Sequence, residues 1–320
     1  MASTTPRPLI TIGITCYNAA GTIGRAVDSA LRQDWTKFEV VVVDDCSSDG
    51  SRELVARRQQ DDDRIRLICH ETNLGTGAAR QTILEAAKGV FVAFFDDDDE
   101  SAVDRLSTQC ARIMAYERET GAQLVACYAS GRRVYSNGYA LDIDAIGSRP
   151  IVPEGHLVAD YLLFNGRRGH VFYGGGTPAC ALMARVETLR AAGGFDATMR
   201  RVEDADIAAR LAFLGAHFIG CPERLYTQYA TEGADKSAQR NYQAELALIT
   251  KHRDYLERKG RYDYARDWFA MRYYHFSGQR PRMVLALIAL WLRHPIWVTR
   301  HALMTIPARI RHERRMRRPG

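Results

Sequence analysis

The chain has 320 residues, of which 46% are hydrophobic and 26% are charged, and it carries a formal net charge of +6. This length and apolar content allow one large α/β domain with a smaller unit, and they exclude a chain that is disordered throughout. The seven cysteines are odd in number and include no Cys-x-x-Cys pair, which excludes a disulfide framework and the usual zinc motif and favours a reducing compartment.

The N-terminal segment, residues 1–8, is polar and contains proline. It lacks the apolar core of a signal peptide, so we expect it to be disordered and the protein to be cytoplasmic. The first predicted strand follows this segment directly.

A strand, a polar turn and a helix then repeat three times. The strands are predicted at Leu9–Ile14, Phe38–Val43 and Arg64–Cys69. The polar turns that follow them contain, in order, Thr15, Tyr17 and Asn18; Asp44 and Asp45; Asn73 and Gly75. This alternation is typical of βαβ units and a parallel sheet. Because ligands bind at the carboxyl ends of parallel strands, the turns are expected to form one site.

A fourth strand, the apolar run Val90–Phe95, ends in four consecutive aspartates, Asp96–Asp99. Carboxylates crowded at one point repel one another, so a cation would stabilise them. Hard oxygen ligands suit Mg²⁺ or Mn²⁺, which could bridge to a diphosphate. A solvated acidic loop is the alternative, since many acidic runs are nothing more. Glu100 is predicted to begin the next helix, where an acid suits the helix dipole.

These motifs resemble the family 2 glycosyltransferases with the GT-A fold. The resemblance also includes Arg80 and the segment Val202-Glu203-Asp204, which opens a helix, and it covers roughly residues 9–230. Each motif alone is common, but five in the family's order are not expected by chance. The resemblance implies an α/β fold with a Rossmann-like, mostly parallel sheet flanked by helices, a nucleotide-sugar donor, and inverting transfer that depends on Mg²⁺ or Mn²⁺.

The resemblance implies donor contacts along the edge of the sheet. Asp45 matches the family's nucleobase contact, where a carboxylate accepts the ring N–H of uracil, so a UDP-sugar is favoured. Capping of the following helix by this polar turn is the alternative. Arg80 matches a position against the base and diphosphate, where a permanent cation offsets leaving-group charge. The other implied donor contacts are Thr15, Tyr17, Asn18, Asp44, Asn73, Gly75, Asp96, Asp97 and Asp98.

The resemblance also implies the metal ligands and the general base. The family's Asp-x-Asp motif falls on the four-aspartate run, so Asp98 and Asp99 are expected to hold the metal, with an ambiguity of one residue. Asp204 matches the general base, which takes the proton of the acceptor hydroxyl as its oxygen attacks the anomeric carbon. The neighbouring Glu203 is the alternative base, or a first-turn acid that suits the helix dipole.

Gly175, Gly176 and Thr177 match a region that lies against the donor sugar and acceptor in the family. Glycines permit a close approach of backbone to ligand, although a plain flexible turn would have the same sequence. The chain departs from the family after the last predicted strand, where many relatives carry a histidine metal ligand and this chain has none. Extra water, Gln228 or Glu232 would have to replace it.

The C-terminal part is divided by composition into a helical extension, residues 233–280, and a basic tail, residues 281–320. The extension follows a catalytic domain predicted at residues 9–232 and contains helices predicted at Ala238–Lys259 and Tyr262–Phe276. The tail has nine arginines and one acid, a formal charge of +8, so the rest of the chain carries −2. Its longest apolar run, Met283–Leu292, is shorter than the roughly 20 residues of a membrane span.

Arginines interleaved with apolar segments are typical of amphipathic helices that lie on an anionic membrane, and the tail is expected to do so. Packing on the catalytic domain is the alternative. Nucleic acid is not an expected partner, because tracking phosphates needs no such apolar run.

The sequence therefore predicts a hexosyltransferase on the inner face of the cell membrane. It would transfer a sugar to a glycan or lipid-linked acceptor of a surface polysaccharide or glycoconjugate. A polyprenyl-phosphate sugar synthase is the alternative enzyme, and a catalytically silent nucleotide-sugar-binding scaffold is the alternative of another class.

Overall fold

The computed structural model describes residues 7–230 and 237–316, without the side chains of residues 305–314 and 316. Most of the segment predicted to be disordered, and Glu232, therefore lie outside the described residues. The chain forms two compact units. The first runs to Val134 and includes Leu141–Ala159 and Arg167–Tyr229, and the second contains Tyr135–Ala140, Asp160–Gly166 and the C-terminal part. The domain boundary predicted at residue 232 stays a prediction.

The first unit is built on a mixed sheet. Its strands are β1 (Ile10–Cys16), β2 (Phe38–Asp44), β3 (Ile65–Cys69), β4 (Phe91–Asp96), β5 (Glu100–Ser101), β6 (Val125–Val134), β7 (Ala140–Ile143), β8 (Leu182–Arg185) and β9 (His217–Tyr229). The strand order is β3-β2-β1-β4-β8-β6-β9-β5, and β7 pairs with β6. The four N-terminal strands are parallel to one another, as the βαβ repeat predicts, whereas β8 is antiparallel to β4 and β6.

Helices flank this sheet, and further helices follow along the chain as far as Met316. They are α1 (Ile23–Leu31), α2 (Ser51–Asp61), α3 (Thr76–Ala86), α4 (Arg105–Thr120), α5 (His156–Phe164), α6 (Val186–Ala191), α7 (Glu203–Phe213), α8 (Ala238–Lys251), α9 (Arg253–Arg258), α10 (Tyr262–Phe276), α11 (Arg280–Arg293) and α12 (Pro295–Met316). Two predictions of the element bounds are wrong. The helix expected over residues 238–259 is interrupted at His252, and Glu100 lies in a strand because it pairs with Thr227 of β9.

The core brings α3 directly onto the central strand. Ile10, Ile12 and Ile14 of β1 are fully buried. Between them Gly13 has no side chain, and a Cβ there would lie 2.3 Å from Cγ2 of Ile83 on α3. Because α3 packs this closely, its first turn lies beside the carboxyl ends of the parallel strands.

The second unit contains the segment predicted to be a basic tail. There α11 and α12 bury Leu290 and Val298, and His301 stacks on Trp268 with ring centroids 3.6 Å apart. The segment is therefore anchored within this unit by part of its apolar surface. Within residues 7–230 and 237–316, none of the helices combines the length and the apolar character that crossing a bilayer requires.

Candidate active site

The carboxyl ends of β1, β2 and β4 lie side by side, with Cys16 paired to Asp44 and Thr15 paired to Asp96. The turn after β1 is bonded to the turn after β2, since the Asn18 N–H donates to Ser47 Oγ at 3.0 Å. The backbone of Asn18 is left-handed, with φ 49°. These contacts gather the first three predicted polar positions, Thr15, Tyr17 and Asn18, at the same edge of the sheet.

Asp44 and Asp45 at the end of β2 are both buried, but they differ in their partners. Oδ2 of Asp44 accepts from Arg52 Nε at 3.1 Å, while Oδ1 has no partner among the described residues. Both oxygens of Asp45 are engaged, because Oδ1 meets His70 Nδ1 at 2.7 Å and Oδ2 accepts from the Gly75 N–H at 2.7 Å.

The carboxylate of Asp45 also accepts the Leu74 N–H at 2.9 Å, again on Oδ1. A carboxylate offers about four acceptor positions, so one remains on Oδ2 for a nucleobase N–H. The predicted role of Asp45 is compatible with this geometry and stays a prediction. Asn73 is held in place as well, because its side-chain oxygen accepts from Arg200 at 2.9 Å.

Arg80 joins two acids that are distant in the sequence. Its guanidinium donates to Asp96 Oδ1 at 3.0 Å and forms a buried ion pair with Glu203. Burial lowers the pKa of Arg80, but the charges of Glu203, Asp96 and Asp204 outweigh that effect and raise it overall. Arg80 is thus a permanent cation between the acid run after β4 and the start of α7.

The backbone explains how Arg80 reaches α7. A Cβ at Gly77 would lie 2.4 Å from the Met199 carbonyl oxygen, so only glycine lets the first turn of α3 pack against the turn before α7. Val202, the residue before α7, has a left-handed backbone with φ 56°. The helix therefore begins at the sheet edge, and its first residues Glu203 and Asp204 face the same site as Arg80.

The acid run after β4 lies close to the thiol of Cys180. One ligand atom each from Asp96, Asp99 and Cys180 lies within 4.8 Å of the others, the one such group found among the described residues. The sheet register accounts for this, since Ala93 of β4 pairs with Met183 of the antiparallel β8. Cys180 lies in the 3₁₀ turn Ala179–Ala181 directly before β8, and this turn packs against β4.

Asp99 is the member of this group that most needs a cation. Its side chain is 5% exposed, and neither carboxylate oxygen has a hydrogen-bond partner in the described parts of the chain. Burial, together with the charges of Asp96 and Asp98, raises the pKa of Asp99 to about 8. A buried carboxylate without partners is unfavourable in its charged form, and a divalent cation removes that penalty. The residues present therefore fit a hard cation such as Mg²⁺ or Mn²⁺.

The other two aspartates of the run have different surroundings. Asp97 accepts the Tyr17 N–H at 3.0 Å, and burial raises its pKa to about 7. Asp98 is half-buried, and its carbonyl oxygen accepts from Arg25 at 2.8 Å. The geometry favours Asp96 as the companion of Asp99, and the predicted metal role of Asp98 stays untested.

Asp204 and Glu203 differ in the groups that bind their carboxylates. Glu203 is buried against Arg80, whereas Oδ1 of the half-buried Asp204 accepts the Ala205 N–H at 2.7 Å. Burial raises the pKa of Asp204, and Arg80 and the backbone bond partly offset this. Because Glu203 is bound by the Arg80 guanidinium whereas Asp204 accepts a backbone N–H, Asp204 is better placed than Glu203 to receive a proton.

The predicted acceptor-side residues form a tight turn. Gly175 donates to the Asp144 carbonyl at 2.8 Å, Gly176 has φ 86°, and Thr177 is buried. Gln228, suggested as a replacement metal ligand, accepts from Arg133 Nε at 2.7 Å. That bond engages the side-chain oxygen that a metal would need, so the geometry does not favour Gln228.

Sequence reasoning missed three neighbours of the site. Cys180 belongs to an apolar stretch of the sequence, and the pairing of β8 with β4 brings the turn that contains it close to Asp96. His70 follows β3, and the pairing of Asp44 with Cys69 could have placed it beside Asp45. Arg105 is fully buried and donates to the Phe94 carbonyl at 2.9 Å, and its position has no signal in the sequence.

Residues 11–155 match the model of the family described as "Glycosyl transferase family 2". Among curated relatives, the succinoglycan biosynthesis protein ExoO of Rhizobium meliloti is 44% identical over 117 residues, which cover 37% of this chain and 32% of the relative. The Escherichia coli enzyme WfgD is named UDP-Glc:alpha-D-GlcNAc-diphosphoundecaprenol beta-1,3-glucosyltransferase. It is 37% identical over 106 residues, which cover 33% of this chain and 41% of the relative. The chain thus matches less than half the length of these relatives.

Solved structures extend the similarity to most of the fold. The structure of S. aureus TarS residues 1–349 in complex with UDP-GlcNAc has a TM-score of 0.58 at 20% identity. The match covers 88% of this chain and 80% of the TarS chain. The mannosyltransferase PcManGT of Pyrobaculum calidifontis, in complex with GDP-Man and Mn²⁺, has a TM-score of 0.57 at 20% identity. The match covers 96% of this chain and 81% of the PcManGT chain. The predicted GT-A fold with a helical C-terminal region is confirmed.

Proposed function

Since residues 11–155 match the family model "Glycosyl transferase family 2", we propose that this protein is an inverting, metal-dependent glycosyltransferase that uses a UDP-sugar. One observation carries the proposal. Asp99, whose carboxylate has no hydrogen-bond partner among the described residues, and Asp204, the proposed proton acceptor, lie at one edge of the sheet. Arg80 connects them, because it contacts Asp96 near Asp99 and Glu203 next to Asp204. A cation site and a base at one edge are what transfer from a nucleoside diphosphate requires.

The donor would lie along the carboxyl ends of β1, β2 and β4. Asp45 accepts the base N–H at its remaining position, and the turn around Asn18 borders the ribose and diphosphate. Asp99 and Asp96 would hold a divalent cation, and its positive charge would offset the negative charge of the leaving diphosphate. Arg80 holds Asp96 in place and keeps positive charge near the same phosphates.

On the other side of the sugar, Asp204 takes the proton of the acceptor hydroxyl as that oxygen attacks the anomeric carbon. Its raised pKa makes it a stronger base than an ordinary aspartate. Glu203 keeps Arg80 in place through their ion pair and does not need to carry the proton. The turn of Gly175, Gly176 and Thr177 would border the sugar and acceptor.

The acceptor class follows from the relatives rather than from the site. ExoO is named for succinoglycan biosynthesis and WfgD for a diphosphoundecaprenol-linked acceptor. We extend this to a glycan or lipid-linked acceptor in the synthesis of a cell-surface polysaccharide or glycoconjugate.

The test of this function is the release of UDP from UDP-sugars by the purified protein. We expect release from at least one common UDP-hexose or UDP-N-acetylhexosamine in the presence of Mn²⁺, and none after chelation of the metal. Parallel reactions with GDP- and dTDP-sugars test the choice of base. A protein that binds UDP but releases none, even with a lipid-linked acceptor present, would be a silent binding scaffold.

The second unit has a surface suited to an anionic membrane. On α11 the exposed apolar side chains Leu285, Ile288 and Leu292 recur at helical spacing, and on α12 Ile296 is 79% exposed. Arginines lie beside them, including Arg282 in the first turn of α11 and Arg293 at its last residue. An apolar stripe bordered by arginines favours a helix that lies in the lipid headgroup region. We infer that this surface holds the protein at the membrane, close to a lipid-linked acceptor.

A combined substitution tests the membrane surface without removing the buried Leu290 and Val298. Changing Leu285, Leu292 and Ile296 to serine should release the protein from vesicles that contain anionic lipid, while UDP release stays near wild type. Raising the salt concentration should weaken wild-type binding, since each arginine contributes roughly 1 kcal/mol that salt screens. The exposed Leu214 of the first unit offers a matched control as Leu214→Ser. Vesicle binding that survives the triple change would show that the stripe is not the contact.

A further inference from the structure

We propose that Cys180 supplies a sulfur ligand to the cation site of Asp96 and Asp99, so that this site binds thiophilic ions such as Co²⁺ and Cd²⁺ in addition to Mg²⁺ or Mn²⁺. The inference rests on the proposed function in one respect, since the same carboxylates would hold the catalytic cation. Cys180 adds a soft donor to a site that otherwise offers only oxygen.

Two independent observations support the assignment. The ligand atoms of Asp96, Asp99 and Cys180 lie within 4.8 Å of one another. Bonds of about 2.3 Å to sulfur and about 2.1 Å to oxygen join donors up to roughly 4.4 Å apart, so small side-chain movements bring all three onto one ion. The second observation is that Asp99 is 5% exposed and has no hydrogen-bond partner on either oxygen among the described residues.

The sulfur is fixed by backbone rather than by a flexible loop. Cys180 lies in a single 3₁₀ turn, Ala179–Ala181, that leads directly into β8, and it is 4% exposed. When a metal–sulfur bond forms, the thiol proton leaves to solvent and no electron is transferred. Water has little access to this side of the site, which favours direct binding of the ion by protein groups.

The experiment uses the full chain with Co²⁺ alone as the probe. We expect a sulfur-to-cobalt charge-transfer band in the near ultraviolet for the wild type, and its loss in Cys180→Ser and in Cys180→Ala. Cys69→Ser removes an exposed thiol and should leave the band intact. Asp99→Asn should weaken the band because cobalt then lacks its buried oxygen ligand.

A competition experiment measures the selectivity. With Mn²⁺ binding followed by electron paramagnetic resonance, Cys180→Ser should weaken Cd²⁺ competition by about 10- to 100-fold and change Mg²⁺ competition far less. A band that persists without Cys180, or bound cobalt without a band in the wild type, would overturn the sulfur ligand. Mn²⁺-dependent UDP release in a protein without the band would sink this inference alone, whereas a band without UDP release would sink the proposed function alone.

Discussion

Replacing Asp204 by asparagine is expected to lower turnover by about 10²- to 10⁴-fold, the range for loss of a general base, while affinity for UDP stays near wild type. The substitution is nearly isosteric and keeps an oxygen for the Ala205 N–H. Steady-state kinetics with the best donor, together with UDP binding by calorimetry, would measure both quantities.

Glu203→Gln is the matched control, because it removes the neighbouring carboxylate and breaks the ion pair with Arg80. It should weaken donor binding or stability as well as turnover. If Glu203→Gln lost turnover at unchanged UDP affinity and Asp204→Asn remained active, the base would be Glu203.

The pH profile supplies a second check on Asp204. A base must be unprotonated, so kcat/KM should fall as pH decreases through the pKa of the base in the free enzyme. Burial raises the pKa of Asp204, so this fall should occur at a higher pH than for an ordinary aspartate. In Asp204→Asn the residual activity should lose that acid limb.

Replacing Asp99 by asparagine is expected to remove metal-dependent turnover, by at least about 10²-fold, because an ion that stabilises the leaving diphosphate contributes several kcal/mol. The loss should be accompanied by weaker Mn²⁺-dependent binding of UDP. Asp97→Asn is the control within the same run, and it should matter far less, because Asp97 is bonded to the Tyr17 N–H rather than grouped with Asp99. Equal turnover in wild type and both variants would contradict the assignment.

The stability of the same variant shows whether lost activity comes from misfolding. The pKa of Asp99 is raised to about 8 in the folded chain, so without a cation the free energy of unfolding falls as pH rises from about 4 to about 8. Asparagine has no such titration. In chelator, Asp99→Asn should therefore be more stable than wild type at pH 8, and the difference should shrink towards pH 4.

The sequence predicted the parallel half of the sheet and the gathering of its polar turns at one edge, because both follow from local patterns. Apolar runs with polar turns predicted β1 to β4, and their parallel pairing brings Thr15, Asp44 and Asp96 to one edge. The start of α7 at Glu203 was also predicted, since acids precede an amphipathic pattern there. These features depend on patterns of apolar and polar residues that repeat within a short stretch of the chain.

The rest depends on contacts between distant parts of the chain. Whether Cys180 meets Asp96 is decided by the antiparallel register of β8 against β4, and no local pattern encodes that register. The ion pair of Arg80 with Glu203 requires α3 to approach the turn before α7 closely at Gly77. A single glycine in a helical pattern does not predict such a contact. The strand at Glu100 forms because β9 offers a pairing edge, which outweighs the preference of an acid for a first helical turn.

The measurement that tests the central claim most directly is the melting temperature of the wild type with nucleoside diphosphates, with and without Mn²⁺. A ligand that binds only the folded state stabilises it by about 2.7 kcal/mol at 100 times its Kd. The account predicts a clear rise with UDP plus Mn²⁺, a smaller rise with UDP alone, less with GDP or dTDP, and loss of the Mn²⁺-dependent part in Asp99→Asn. No rise with any nucleoside diphosphate, or an undiminished Mn²⁺ effect in Asp99→Asn, would contradict a donor site built on this edge of the sheet.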